Sequence, residues 1–196
     1  MKKFFILVTF LIIALSNISK ANSIEADVFV QSTVNRASEA LNNRFSKEEK
    51  IEKLKNIAKE TVDIRGIGYY TLGAYRKSIT KDQIRKYETL FEQYFLKSFA
   101  SRLAEYSNPE IEVTSKKELN KNYTMVSSIL VATEKRPEVK INWRVYTKNS
   151  DNPLIRDLII EGLSLARTQK EEFSSIIQSN DGDINALFST LENFIN

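Results

Sequence analysis

The sequence predicts an α+β fold in which helices pack on one face of an antiparallel sheet. Apolar residues recur at helical spacing through the first half of the chain, up to Asn108-Pro109. From Ile111 to Ile160 several runs instead show strand character, and polar turns separate them. Helical spacing returns after Gly162. Strands joined by short turns favour an antiparallel meander that buries one face against the helices.

The N-terminus has the pattern of a secretory signal peptide. Two lysines precede an apolar run from Phe4 to Leu15, which is shorter than the roughly 20 residues of a bilayer span. Small residues at Ser19 and Ala21 predict cleavage after Ala21. The remaining residues, 22–196, have the length of a single domain. We therefore expect export, with an uncleaved N-terminal anchor as the alternative.

Charge and composition exclude several classes of function. The chain has 29 basic and 25 acidic residues, a net charge of +4. Residues 1–21 contain three of the lysines and no acid, so the rest of the chain carries 26 basic residues against 25 acidic ones. That balance gives no reason to expect nucleic-acid binding. The absence of Cys and His excludes disulfides, Ser-His-Asp and Cys-His catalysis and ordinary zinc sites. We predict no cofactor and no metal.

Capping boxes mark two of the helices predicted before the strands. The first helix has apolar residues spaced by three or four from Val30 to Phe45. Ser46 and Thr80 each begin a capping box and so open the second helix and the longest one, which runs to about Tyr106. The long helix carries a broad apolar stripe. Such a stripe favours packing in the core, and the alternative interpretation is that it forms the wall of a ligand cavity.

Residues 63–75, with the sequence DIRGIGYYTLGAY, differ from the regular helices around them. They contain three glycines and three tyrosines. Glycines weaken a regular helix and allow the backbone to approach its neighbours closely. We expect a short helix or turn that lays Tyr69, Tyr70 and Leu72 over the core.

Four strands are predicted in the second half of the chain. The first is short and contains Ile111 and Val113, and the second lies within Tyr123–Thr133. Apolar residues alternate strictly with polar ones over Val139–Tyr146, and the fourth strand covers Leu154–Ile160. These strands form the predicted meander.

Two helices are predicted to close the chain. Glu161 and Gly162 follow the last strand and are expected to form a strand-to-helix hinge, in which Gly supplies the bend. Ser164 caps the helix that follows, and Asp183 caps the final helix. Asp157 and Glu161 are candidates for an acid/base pair, but an aspartate that orients a backbone turn or a nearby arginine explains Asp157 better.

Several segments together resemble the MlaC, or toluene-tolerance, family. They are Leu72–Tyr75, the strand containing Trp143, the stretch Asp157–Phe173 (DLIIEGLSLARTQKEEF) and the break at Gly182–Ile184. One departure is Lys170, near where the family commonly has an arginine. The resemblance implies an NTF2-like fold, in which a curved sheet encloses an apolar interior.

The resemblance also implies a function. Members of the family are periplasmic, are not enzymes, and carry phospholipids between the two membranes of Gram-negative bacteria, which maintains outer-membrane lipid asymmetry. The implied partners are an outer-membrane lipoprotein–porin complex and an inner-membrane ABC transporter that bears an MCE-domain protein. We expect a monomer that makes transient contacts with them.

The candidate lipid site is a set of apolar and aromatic residues from three regions: the tyrosine-glycine segment, the long helix and the sheet. Arg65 and Arg76 flank that segment and are candidates for pairing with a lipid phosphate, which Arg does by bidentate hydrogen bonds. The predicted lining residues are Ile67, Tyr70, Leu72, Phe91, Phe95, Phe99, Ile129, Ile141, Trp143 and Ile160.

Two other functions stay open at this point. An NTF2-like enzyme of the isomerase type needs a buried carboxylate and a tyrosine in one cavity, and Asp63 with Tyr69 or Tyr70 is the plausible set. A protein-binding adaptor would instead have a filled core and no ligand.

Overall fold

A computed structural model describes residues 24–134 and 136–196. The predicted signal peptide and its cleavage site lie outside these residues. The helices are α1 (Ala26–Ala40), α2 (Lys47–Thr61), α3 (Ile64–Leu72), a 3₁₀ helix (Gly73–Lys77), α4 (Lys81–Leu103), α5 (Leu165–Gln178) and α6 (Ile184–Ile195). The strands are β1 (Ile111–Asn120), β2 (Tyr123–Leu130), β3 (Val139–Tyr146), β4 (Leu154–Ile160) and β5 (Leu163–Ser164).

The helices begin where their capping residues predict. The Ser46 side chain accepts from the Glu49 N–H, and the Glu49 carboxylate accepts from the Ser46 N–H, which completes the capping box of α2. Thr80 forms the equivalent box at the start of α4. Ser164 and Asp183 cap α5 and α6 through their side chains. These starts were predictable because each cap depends on contacts within four residues.

The sheet is the predicted antiparallel meander, with strands in the order β1-β2-β3-β4-β5. β1 is longer than expected, because the sequence marked only Ile111 and Val113. Its second half is an exposed edge that pairs with β2 along its length. Those residues are mostly polar and show no alternation. Lys116, in this half, forms ion pairs with Glu25 and Asp27 at the start of α1.

The end of β4 explains how the chain leaves the sheet. Glu161 and Gly162 have φ values of +49° and +84° and form the two-residue turn into the short strand β5. Two successive residues with positive φ suit a tight hairpin, and Gly162 adopts this conformation without steric cost. The predicted hinge is therefore a hairpin, and α5 starts directly after it.

The helices and the sheet form an α+β domain, as predicted. Val30 and Val34 of α1 pack on the sheet against Val126, Trp143 and neighbouring residues. A second cluster joins α3, α4, α5 and α6, and a third joins α1, α2 and α4. The space between these three clusters holds a cavity. No helix within residues 24–134 or 136–196 has the length and apolar character to span a bilayer.

Candidate functional site

A cavity of about 590 Å³ lies between the sheet and the helices. Its walls come from α1 to α6 on one side and from β1 to β4 on the other. Its volume falls within the range of small-molecule pockets, roughly 300–1,000 Å³. Most of the side chains that face it are aliphatic or aromatic. The cavity therefore suits an apolar ligand.

Seven of the ten predicted lining residues lie in the wall of this cavity. They come from α3, α4, β3 and β4, and they are Ile67, Phe91, Phe95, Phe99, Ile141, Trp143 and Ile160. Ile141 pairs directly with Ile160 across the β3–β4 ladder. The Trp143 indole N–H donates to the Ser128 hydroxyl at 2.8 Å, which satisfies the polar end of the ring inside the core. That these residues contact a lipid stays a prediction.

The other three predicted residues lie outside the cavity wall. Ile129 belongs to the opposite face of β2, because Val126, Ser128 and Leu130 are the buried positions. Leu72 is fully buried, but it packs in the helical cluster. Tyr70 is 46% exposed, and its ring lies under the ammonium of Lys170, 5.2 Å from the ring centroid.

The arginines predicted to meet a phosphate also lie away from the cavity. Arg65 donates to Glu88 at 2.7 Å and to the Tyr69 hydroxyl, and Tyr69 donates to Glu88. These hydrogen bonds lower the pKa of Glu88. All three residues line a separate groove of about 600 Å³ between α3 and α4. Arg76 lies over the ring of Tyr69, 5.7 Å from its centroid.

Several hydroxyl groups in the cavity wall are satisfied within the protein. Thr33, Thr61 and Thr190 each donate to the backbone carbonyl four residues earlier, at 2.8–2.9 Å. Ser38 donates to the Pro109 carbonyl at 2.9 Å. Hydroxyls that are already bonded do not require a polar ligand partner. These hydroxyls therefore offer no free donor to a ligand, and this part of the wall behaves as an apolar surface.

A hydrogen-bonded chain joins α4 to α5 along the cavity. The Tyr94 hydroxyl donates to Gln169 at 2.9 Å, and the Gln169 amide donates to Glu172 at 2.8 Å. Burial raises the pKa of the Tyr94 phenol, and the charge of Glu172 adds to this effect. Tyr94 therefore stays neutral at physiological pH and serves as a donor. Tyr94 is not among the predicted lining residues, although it lies on the apolar stripe of α4.

Three exposed apolar residues mark where the cavity opens to solvent. Tyr106, Leu165 and Phe194 line the cavity, and each is about 40% exposed. The side chain of Arg102 also lines the cavity and is exposed. An apolar cavity with an amphipathic rim fits a ligand with an apolar body and a polar head.

Comparison with known proteins agrees with this geometry. The model of a protein family described as "MlaC protein" matches residues 31–193. The chain belongs to the MlaC family. This MlaC-family protein also resembles the solved structure of a phospholipid-binding protein from Ralstonia solanacearum in complex with a phospholipid. The sequence identity is 17%, the match covers 88% of this chain and 97% of that one, and the TM-score is 0.73.

The residue set considered for an isomerase is not assembled in this MlaC-family protein. The Asp63 carboxylate accepts from the Gly66 N–H at 2.8 Å as the cap of α3, and it forms an ion pair with Arg156 at 2.6 Å. Tyr69 bonds to Glu88 in the groove, and Tyr70 is exposed. None of these three side chains lines the apolar cavity. Family and cavity both point to binding and transport rather than to catalysis.

Asp157 has a structural role at the start of α5. It is 4% exposed and accepts from the Ser164 hydroxyl at 2.6 Å and from the Ala166 N–H at 3.0 Å. Ser164 in turn accepts from the Arg167 N–H at 3.1 Å. The carboxylate thus fixes β4 to the hairpin and to the first turn of α5, which matches the expectation that it orients a backbone turn.

Removing the Asp157 carboxylate will destabilise the MlaC-family protein. We expect Asp157→Ala to lower the free energy of unfolding by about 2–3 kcal/mol, because two donors lose their acceptor in a buried place. Asp157→Asn keeps one acceptor and is expected to cost about 1 kcal/mol. Urea unfolding of both variants measures the difference. Equal stability of Asp157→Ala and the wild type would contradict the assignment.

Proposed function

We propose that this protein is a periplasmic carrier that shuttles phospholipid between the outer and inner membranes. The observation that carries the proposal is the largely apolar cavity, in which several hydroxyl groups bond within the protein, together with its amphipathic rim. Membership of the MlaC family and the likeness to a phospholipid-binding protein support it. The acyl chains would lie against the aromatic wall of α4 and against β3, and the headgroup would lie at the rim.

Energetics explain why such a carrier is needed. Two acyl chains contain roughly 30 methylenes, each worth about 0.8 kcal/mol when removed from water, so a bare lipid crosses an aqueous space at a cost on the order of 20 kcal/mol. A bilayer offers the chains nearly the same environment as an apolar cavity. Uptake from a membrane is therefore close to neutral in free energy.

Because lipid uptake is nearly neutral in free energy, the direction of transport has to be set by other proteins. We propose the partners of the family: an outer-membrane lipoprotein–porin complex and an inner-membrane ABC transporter with an MCE-domain protein. In this proposal the carrier is a secreted monomer with no chemistry of its own.

The lipid content of the native protein tests the carrier function. The chain would be expressed with its own N-terminus, purified from a bacterial periplasm without detergent and extracted with organic solvent. Mass spectrometry of the extract should then find two-chain phospholipid in roughly stoichiometric amount. A folded protein that carries no lipid would contradict the proposal and favour the adaptor.

A further inference from the structure

One arginine lines the end of the cavity that Tyr106 marks, and a second one contacts Tyr106 from outside the cavity wall. Arg102 and Tyr106 both line the cavity, close to the C-terminal end of α4. Arg136, in the loop between β2 and β3, places its guanidinium carbon 5.6 Å from the centroid of the Tyr106 ring. Tyr106 is 39% exposed, so this cluster is at the boundary between the cavity and solvent.

Neither arginine is neutralised by an acid in the part of the chain that the structure describes. The ion pairs found within residues 24–134 and 136–196 involve other arginines and lysines. Arg136 donates from Nη2 to the Val131 carbonyl at 3.1 Å, but its buried Nε–H has no hydrogen-bond partner. Because the Nε–H itself is buried, a phosphate would have to bind at the Nη groups of this guanidinium.

We infer that Arg102 and Arg136, together with Tyr106, bind the phosphate of an amphiphile whose acyl chains occupy the cavity. A guanidinium presents several N–H donors in a planar fork that matches phosphate oxygens. Tyr106 supplies an apolar ring toward the chains and a hydroxyl toward the head. The inference rests on the proposed function, and it replaces Arg65 and Arg76 as the headgroup contacts.

Two acidic side chains also line the cavity, and both are engaged elsewhere in the protein. Asp157 accepts from Ser164 and Ala166 and pairs with Arg144. Glu172 lines the cavity from α5, but its carboxylate already accepts from Gln169, and no ion pair joins it to Arg102 within the described residues. The charge of Arg102 acts on the cavity wall: it partly opposes the burial that raises the pKa of Tyr94. Arg102 is therefore an exposed cation in the cavity wall that no acid pairs within the described residues.

The test compares ligands that share acyl chains and differ in the phosphate. Short-chain phosphatidylcholine, diacylglycerol of the same chain length and inorganic phosphate are titrated onto the protein as purified, and native mass spectrometry measures binding. The variants are Arg102→Gln, Arg136→Gln and the double variant. Arg167→Gln is the matched control, because Arg167 is exposed and lies outside the cavity wall.

We expect each cavity variant to weaken phosphatidylcholine binding by roughly tenfold, since each removes one charge-assisted contact. Diacylglycerol binding should not change in any variant, and Arg167→Gln should behave as the wild type. The urea midpoint of Arg102→Gln should not change, whereas Arg136→Gln also removes the hydrogen bond to Val131 and should lower the midpoint slightly. Unchanged phosphatidylcholine binding in the double variant would overturn the inference while leaving the carrier function intact. If the wild type binds neither lipid, the carrier function itself fails. Binding of inorganic phosphate alone, lost in the double variant, would identify free phosphate as the ligand and overturn the lipid-headgroup assignment.

Discussion

Filling the cavity with a tryptophan side chain will abolish the phospholipid that copurifies with the protein. Ala37 lines the cavity from α1, and Ser98 lines it from α4. In Ala37→Trp and Ser98→Trp an indole would occupy space that the acyl chains need. The cavity is empty of protein atoms, so the overpacking cost should stay near the low end of about 1–3 kcal/mol. Solvent extraction and mass spectrometry of both variants measure the lipid content.

The matched control is Ser32→Trp, which adds the same side chain to the exposed face of α1. We expect this variant to retain the wild-type amount of lipid. Circular dichroism and a urea midpoint establish that all three proteins are folded. Wild-type lipid content in folded Ala37→Trp and Ser98→Trp would show that the acyl chains bind elsewhere, and the proposed function of the cavity would then be wrong.

The sequence predicted the elements of the fold better than it predicted the site. Helix starts such as Ser46 and Thr80 depend on local hydrogen bonds, and β3 alternates strictly, so Ile141 and Trp143 were assigned to the correct face. In β2, apolar residues occur on both faces of the strand, so alternation does not identify the buried face. Only the pairing with neighbouring strands determines which of these residues face the core. Ile129 pairs with Glu112 of β1 and Lys140 of β3, which places it on the face opposite the core.

The positions of the arginines could not be predicted from local sequence. An exposed arginine on the rim of a cavity has the same local pattern as one on an ordinary helix surface. The difference depends on how α3 and α4 pack against the other helices, which places Arg102 of α4 in the cavity wall and Arg65 of α3 in the groove. The irregularity in the β3–β4 ladder is equally hard to predict. Arg156 has no register partner on β3, and its guanidinium binds the Asp63 carboxylate and lies over the Tyr146 ring.

Replacing Phe91 will affect stability and lipid retention together. Its ring is 2% exposed and lies 5.6 Å from Tyr87 in a stacked pair and 6.2 Å from Phe173 in an edge contact. It lines both the apolar cavity and the groove between α3 and α4, so the ring separates the two spaces. Phe91→Ala should lower the free energy of unfolding by about 3–5 kcal/mol. It should also join the two spaces and let water reach the acyl chains.

A second substitution by alanine, at Leu96, separates these two effects. Leu96 is buried on the same helix and lines the groove but not the cavity. Leu96→Ala should also lose about 2–5 kcal/mol of stability, yet it leaves the Phe91 ring in place and should keep its lipid. Urea unfolding and lipid extraction of the folded variants measure both quantities. Equal lipid loss in the two variants would mean that general loosening of α4 releases the ligand, and the barrier assigned to Phe91 would then be wrong.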